Sequence, residues 1–170
     1  MTTVGDPAQH TSPPAAPGAL VLGAQTAIPE HVLQAALAFW REQRRIQWWQ
    51  VTGRSMQPLL REGDELQVQH CSQALRPGDI AVFRLRGQWV AHRVVRIVGV
   101  FPHRWVTARG DNAAGDDPAI QEDAVAGRAL ALRRGADTIR LDTRMWRIYG
   151  LAFVARARFG AGLRRVWRRA

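Results

Sequence analysis

The chain has 170 residues, a formal net charge of +10 and a single cysteine, Cys71. This length is enough for one domain with its own core and short extensions, and one cysteine excludes an internal disulfide framework. No lysine occurs in the sequence, so a lysine general base is excluded, because the arginines stay protonated. The basic balance favours an anionic partner, either a membrane surface or a nucleic acid.

The N-terminal residues 1–28 are rich in Pro, Ala, Thr and Gly, which predicts a disordered extension. The apolar run from Ala19 to Ala24 is too short for a signal peptide or a membrane span. We therefore expect a cytoplasmic or peripheral membrane protein with no signal peptide and no transmembrane helix.

Residues 29–46 have the pattern of a helix. Pro29 suits a first helical position, and apolar residues recur near one face, at Val32, Ala35, Ala36 and Phe39. The arginines near its end rule out a membrane span. Packing of this N-terminal helix on the domain is favoured over contact with a bilayer or a partner.

Residues 47–142 predict a small, mainly β, antiparallel barrel-like domain, because short strands alternate with Gly and Pro turns. The predicted strands are 46–52, 65–69, 80–85, 89–98, 105–108, 124–132 and 138–141. Trp48 and Trp49 are neighbours on one strand and face opposite sides. One is expected in the core, and the other beside the substrate or in an interface.

Residues 143–170 predict a basic amphipathic helix. Its apolar residues share one broad face, at Ile148, Leu151, Ala152, Ala155, Phe159, Leu163, Val166 and Trp167. Two readings stay open: the helix docks on the β domain, or residues 145–170 make a peripheral contact with an anionic membrane. Nucleic acid is the less favoured partner.

Three sequence blocks contain the groups of a hydrolytic site. Ser55 lies in the segment Gly53–Pro58, His92 lies in Ala91–Val95, and acidic residues follow in Gly110–Asp117. A serine hydroxyl needs a general base to act as a nucleophile, and histidine, with an ordinary pKa of about 6.5, is suited to that role. An acid that orients the imidazole completes such a site.

These blocks, with the Gly78-Asp79-Ile80 strand between them, resemble the type I signal peptidase superfamily of LexA/signal peptidase-like serine peptidases. They are most similar to its Ser-His-Asp branch, found in the endoplasmic reticulum and in archaea. The resemblance implies the catalytic β domain of that superfamily and a triad of Ser55, His92 and Asp117. Asp117 stands six positions after Asp111, as the acid does in that branch, and Asp111 and Asp116 remain alternatives.

Other residues of the blocks are expected to support the site: Gly53, Met56, Pro58, Asp111 and Asn112. Asp111 is expected to hold its loop through side-chain to backbone hydrogen bonds. The Ser55 N–H is the expected oxyanion donor, with Thr52 a weak second candidate. No cofactor is expected, and no metal-ligand pattern is visible in the sequence.

The function implied is that of a signal-peptidase-type serine endopeptidase. It acts on a precursor or leader peptide, cutting after small side chains through an acyl-enzyme. Two alternatives stay open: a LexA-type self-cleaving regulator, and a non-catalytic basic β domain that binds membrane or nucleic acid.

Overall fold

The computed structural model describes residues 20–21, 29–70, 75–100 and 102–167. Their side chains are described except at 20, 21, 30 and 157–167. Apart from Leu20 and Val21, the predicted disordered extension 1–28 lies outside the described residues. Cys71 also lies outside them.

Within the described residues, nine strands form one sheet, and two longer helices flank it. The strands are β1 (Leu20–Val21), β2 (Ile46–Gln50), β3 (Glu65–Gln69), β4 (Ile80–Leu85), β5 (Gln88–Val98), β6 (Trp105–Arg109), β7 (Ile120–Gln121), β8 (Val125–Arg134) and β9 (Asp137–Arg140). The helices are α1 (Glu30–Glu42) and α2 (Arg144–Trp167), and Glu122–Ala124 form a short 3₁₀ turn. The prediction of a mainly β, antiparallel, barrel-like fold is confirmed.

The sheet has the strand order β1-β2-β3-β8-β4-β5-β6-β7, and β9 pairs with β8. Every pairing is antiparallel except that of β1 with β2, which is parallel. Alternate residues of a strand face the core, as Leu66 and Val68 of β3 do. Register shifts in β3–β8, β4–β8 and β5–β6 mark irregularities that bend strands, and the sheet curls.

Two strands lie outside the predicted set. β1 and β7 have two residues each, too few for an alternating pattern to be visible in the sequence. β1 also lies within the segment 1–28, so the prediction of disorder is wrong for Leu20 and Val21. The backbone of Leu20 is in register with Trp49, and that of Val21 with Gln50.

Helix α1 packs on the sheet, but through a different face from the predicted one. Leu33 and Leu37 are buried, whereas Val32 and Phe39 are about half exposed. Both faces are apolar, and the buried one combines two leucines at i and i+4 with the partly buried Trp40. The helix ends at Glu42 rather than at residue 46, because Arg44 adopts a positive φ of 46°.

A buried histidine links α1 to the sheet. His70 has its Nδ1 2.9 Å from the Ala126 carbonyl oxygen, and its ring lies 5.0 Å from that of Trp40. Burial lowers the pKa of His70 below its ordinary 6.5, and the nearby Arg41 and Arg45 act in the same direction, against the raising effect of the Ala126 hydrogen bond. At neutral pH this imidazole is therefore uncharged in the folded protein.

We expect the free energy of unfolding to fall as the pH drops through about 6.5, because the unfolded chain then binds a proton that folded His70 resists. Stability should level off above about pH 7.5. Urea denaturation at several pH values checks this, and His70→Leu should reduce the slope, whereas exposed His103→Leu should not. An equal slope in all three proteins would contradict the assignment.

Helix α2 is docked by one side. Thr143 caps its start, since its Oγ1 accepts a hydrogen bond from the Trp146 N–H. Gly150 and Val154 are buried against the domain, and a Cβ added at Gly150 would lie 2.5 Å from the Gly78 carbonyl oxygen. The opposite side is exposed and holds Ile148 and Leu151. No helix in the described part of the chain is long and apolar enough to cross a bilayer.

Candidate active site

Ser55 lies in the loop that joins β2 to β3. Gly53, two residues earlier, has a φ of 89°, a left-handed conformation that glycine adopts without the steric cost of a Cβ. Met56 is buried beneath the loop, and the Gln57–Pro58 peptide bond is cis. Ser55 itself lies in a turn, and it is exposed.

His92 lies within the long strand β5, next to β4 and β6. It is buried, and Phe83 of β4 meets its ring edge-on at 6.0 Å. A β-strand under tight packing holds the imidazole in one orientation.

Asp117 lies in the loop between β6 and β7. Its N–H donates to the Ala108 carbonyl oxygen at 2.8 Å, which folds the loop back along β6. Since β6 pairs with β5 from Arg93 onwards, this turn brings the carboxylate to His92.

The three side chains form one hydrogen-bonded chain. Asp117 Oδ2 is 2.7 Å from His92 Nδ1, and His92 Nε2 is 3.0 Å from Ser55 Oγ. The carboxylate accepts only, so Nδ1 carries the proton and Nε2 is left to accept from the hydroxyl. This is the order of contacts that lets an imidazole take a proton from a serine hydroxyl as the oxygen attacks a carbonyl.

A family model described as Peptidase S24-like matches residues 15–127. The chain belongs to this family. It is therefore a member of the LexA/signal peptidase-like superfamily of serine peptidases, as the sequence motifs predicted. No curated protein matches the chain significantly. Ser55, His92 and Asp117 all lie within the matched range, and α2 lies beyond it.

The two alternative acids, Asp116 and Asp111, do not contact His92 in the same way. Asp116 is exposed and 3.7 Å from Arg109. The side chain of Asp111 is buried and forms a bidentate pair with Arg93, at 2.8 Å from Nε to Oδ1 and 2.6 Å from Nη2 to Oδ2. Side-chain to backbone hydrogen bonds were expected for Asp111, and the bonds that the structure gives its carboxylate are those to the Arg93 guanidinium.

The loop 110–113 supports the serine directly. The Asn112 N–H donates to the Ser55 carbonyl oxygen at 2.7 Å, and the Asp111 N–H donates to the sulfur of Met56 at 3.3 Å. A Cβ added at Gly110 would lie 2.7 Å from the Ser55 carbonyl oxygen, so only glycine allows this approach. A backbone hydrogen bond and a close backbone approach thus join the loop that contains Asp117 to the loop that contains Ser55.

A cleft of about 270 Å³ opens beside Ser55 and His92. One wall is the segment 51–56 and the other is the start of β5, residues 88–92. Leu60 and Trp89 contribute buried apolar surface to it. Thr52 and Gly53 line the cleft next to the serine, where an oxyanion donor is required.

Of the neighbours Trp48 and Trp49, one was expected in the core, and that residue is Trp49. Trp49 is fully buried, and it meets Trp89 edge-on at 5.3 Å. Trp48 is absent from the lining of the cleft and instead lies under the Arg133 guanidinium, 4.3 Å from it. Trp89, which the sequence patterns did not single out, is the tryptophan among the residues that line the cleft.

Proposed function

We propose that this chain is a serine endopeptidase of signal peptidase type that cleaves a precursor or leader peptide. The observation that carries the proposal is the chain of contacts from Ser55 Oγ to His92 Nε2 and from His92 Nδ1 to Asp117. The Ser-His-Asp order of these contacts supports an assignment to the endoplasmic-reticulum and archaeal branch of its superfamily.

In the proposed reaction, the Ser55 oxygen bonds to the peptide carbonyl carbon while His92 takes the hydroxyl proton. The C–N bond then breaks, and the imidazolium returns that proton to the departing amine. A water molecule, deprotonated by His92, hydrolyses the acyl-enzyme and restores the hydroxyl. Asp117 keeps Nδ1 protonated and stabilises the imidazolium throughout. The neutral imidazole is therefore the active form.

The cleft supports an extended peptide as substrate. β4 pairs with Gln88–Ala91 on one side, whereas β6 pairs with β5 only from Arg93 onwards. A substrate strand added along the other side would run past Ser55, and such strand addition binds peptides through their backbone. Leu60 and Ala91 add apolar lining to the cleft, which suits an apolar side chain before the cut.

Digestion of a proteome-derived peptide library tests this function. We expect new termini that follow small residues such as alanine, found with the wild-type protein and absent with Ser55→Ala. A library left intact by the wild-type protein would remove the proposal.

Self-cleavage of the LexA type is the second candidate, and one observation favours it. β1 brings part of the N-terminal segment onto the edge of β2, whose end leads into the Ser55 loop. Truncation of the stored protein at a rate independent of its concentration, absent in Ser55→Ala, would favour self-cleavage. Cleavage only of added peptides would favour the endopeptidase.

We also propose that α2 holds the enzyme at an anionic membrane surface. The exposed side of the helix carries three large apolar residues, Met145 at 72%, Ile148 at 67% and Leu151 at 47% exposure. Residues 144–170 include eight arginines and no acidic residue, which matches anionic headgroups. Docking through Gly150 and Val154 leaves this surface outward, so docking and membrane contact are compatible.

Substitution of Met145, Ile148 and Leu151 by serine should reduce sedimentation with anionic liposomes several-fold, because each loses buried apolar area. Neutral liposomes should bind the wild-type protein weakly. Val98→Ser/Val100→Ser, which removes exposed apolar side chains that do not belong to α2, is the control. Equal sedimentation of the triple variant and the wild-type protein would overturn the membrane proposal, and salt-sensitive binding to DNA instead would favour nucleic acid.

A further inference from the structure

Arg93 directly follows His92 in β5 and is almost completely buried. Its side chain is 2% exposed, and that of its partner Asp111 is 1% exposed. Besides its two bonds to Asp111, it donates from Nη1 to the Gly78 carbonyl oxygen at 2.9 Å. A planar guanidinium with three fixed acceptors has little freedom to rotate.

This ion pair joins the strand of the histidine to the loop of the acid. Asp111 and Asp117 lie on the same loop, and Asn112 of that loop holds the Ser55 carbonyl at 2.7 Å. A shift of the carboxylate of Asp111 would therefore move the supports of both Ser55 and Asp117.

Helix α2 covers the outer side of this pair. The Arg93 Cζ atom lies 5.5 Å from the ring centre of Tyr149 and 5.3 Å from that of Phe153, distances of cation–π contacts. The close approach of Gly150 to the backbone of Gly78 sets the helix down at this point. The rings keep water from the guanidinium, and exclusion of water strengthens an ion pair.

We propose that Tyr149 and Phe153 are positioning residues for the Ser55–His92–Asp117 site, acting through Arg93 and Asp111. This inference rests on the proposed peptidase function. Neither ring lines the cleft, so both act on the geometry of the site and not on substrate contacts. Loss of the rings admits water to the ion pair, loosens loop 110–117 and misaligns the acid and the nucleophile.

The test compares Tyr149→Leu/Phe153→Leu with the wild-type protein. The rate of inactivation by a fluorophosphonate, which bonds to Ser55 Oγ with release of fluoride, should fall by about 10-fold or more. With a cleaved peptide, kcat should fall while KM changes little. Tyr149→Phe, which keeps the ring, should react at the wild-type rate, and so should Phe39→Leu, an exposed aromatic control on α1.

Hydrogen exchange gives a second readout that needs no activity. The amides of Asn112 and Asp117, bonded to Ser55 and Ala108, should exchange faster in the double variant and at the wild-type rate in Phe39→Leu. Unchanged exchange at both amides, or an unchanged reaction rate, would overturn the positioning role. A wild-type protein that neither reacts nor cleaves peptides would instead overturn the peptidase function, while exchange would still decide whether α2 controls the loop.

Discussion

Ser55→Ala and His92→Ala should each reduce peptide cleavage by about 10³- to 10⁶-fold, because these side chains act as one unit in the proposed reaction. Ser55→Ala removes the attacking oxygen, and His92→Ala removes the group that accepts its proton. Asp117→Asn should cost about 10⁴-fold, since an amide in place of the carboxylate favours the wrong imidazole tautomer. Initial rates of cleavage of one library-derived peptide measure all three effects.

Matched substitutions outside the site separate chemistry from folding. His103→Ala and Asp123→Asn replace the same residue types at exposed positions. Proteins with these substitutions should cleave the peptide at the wild-type rate. Near-wild-type cleavage by His92→Ala in a folded protein would show that another base acts, and the proposed assignment would fall.

Asp111→Ala should destabilise the protein by about 3–5 kcal/mol, because it leaves the buried guanidinium of Arg93 without its counter-charge. The pair is bidentate, with a shortest contact of 2.6 Å, and both side chains are at most 2% exposed. Urea denaturation measures the loss as a lower midpoint.

The chain offers a pair of the same type at the surface as a control. Arg140 and Asp142 also form two bonds, with a shortest contact of 2.6 Å, but their side chains are 70% and 28% exposed. Asp142→Ala should therefore cost no more than about 1 kcal/mol. If Asp111→Ala and Asp142→Ala lowered the free energy of unfolding equally, burial would not determine how much these ion pairs stabilise the protein.

The motifs predicted which three side chains meet, because each lies in a compact block whose residue types serve one chemical purpose. The structure brings Ser55, His92 and Asp117 within hydrogen-bonding distance, and their catalytic role is the prediction that the variants test. Most strands were also predictable, since alternation and turn residues are local signals.

Features that depend on distant contacts were not predictable. The Arg93–Asp111 pair joins residues 18 positions apart, and nothing local shows that both are buried. The helices gave a similar difficulty, because periodicity reveals an apolar face without showing what covers it. In α1 the buried face was a different one. In α2 the described members of the predicted face, Ile148, Leu151, Ala152 and Ala155, are exposed, and the side that contains Gly150 docks.

Mass spectrometry after treatment with a fluorophosphonate tests the central claim most directly, because the reagent needs no known substrate. We expect one adduct on the wild-type protein, mapped to Ser55, with none on Ser55→Ala and much slower labelling of His92→Ala. A wild-type protein that stays unlabelled, or a Ser55→Ala variant labelled to the same extent as the wild-type protein, would contradict it.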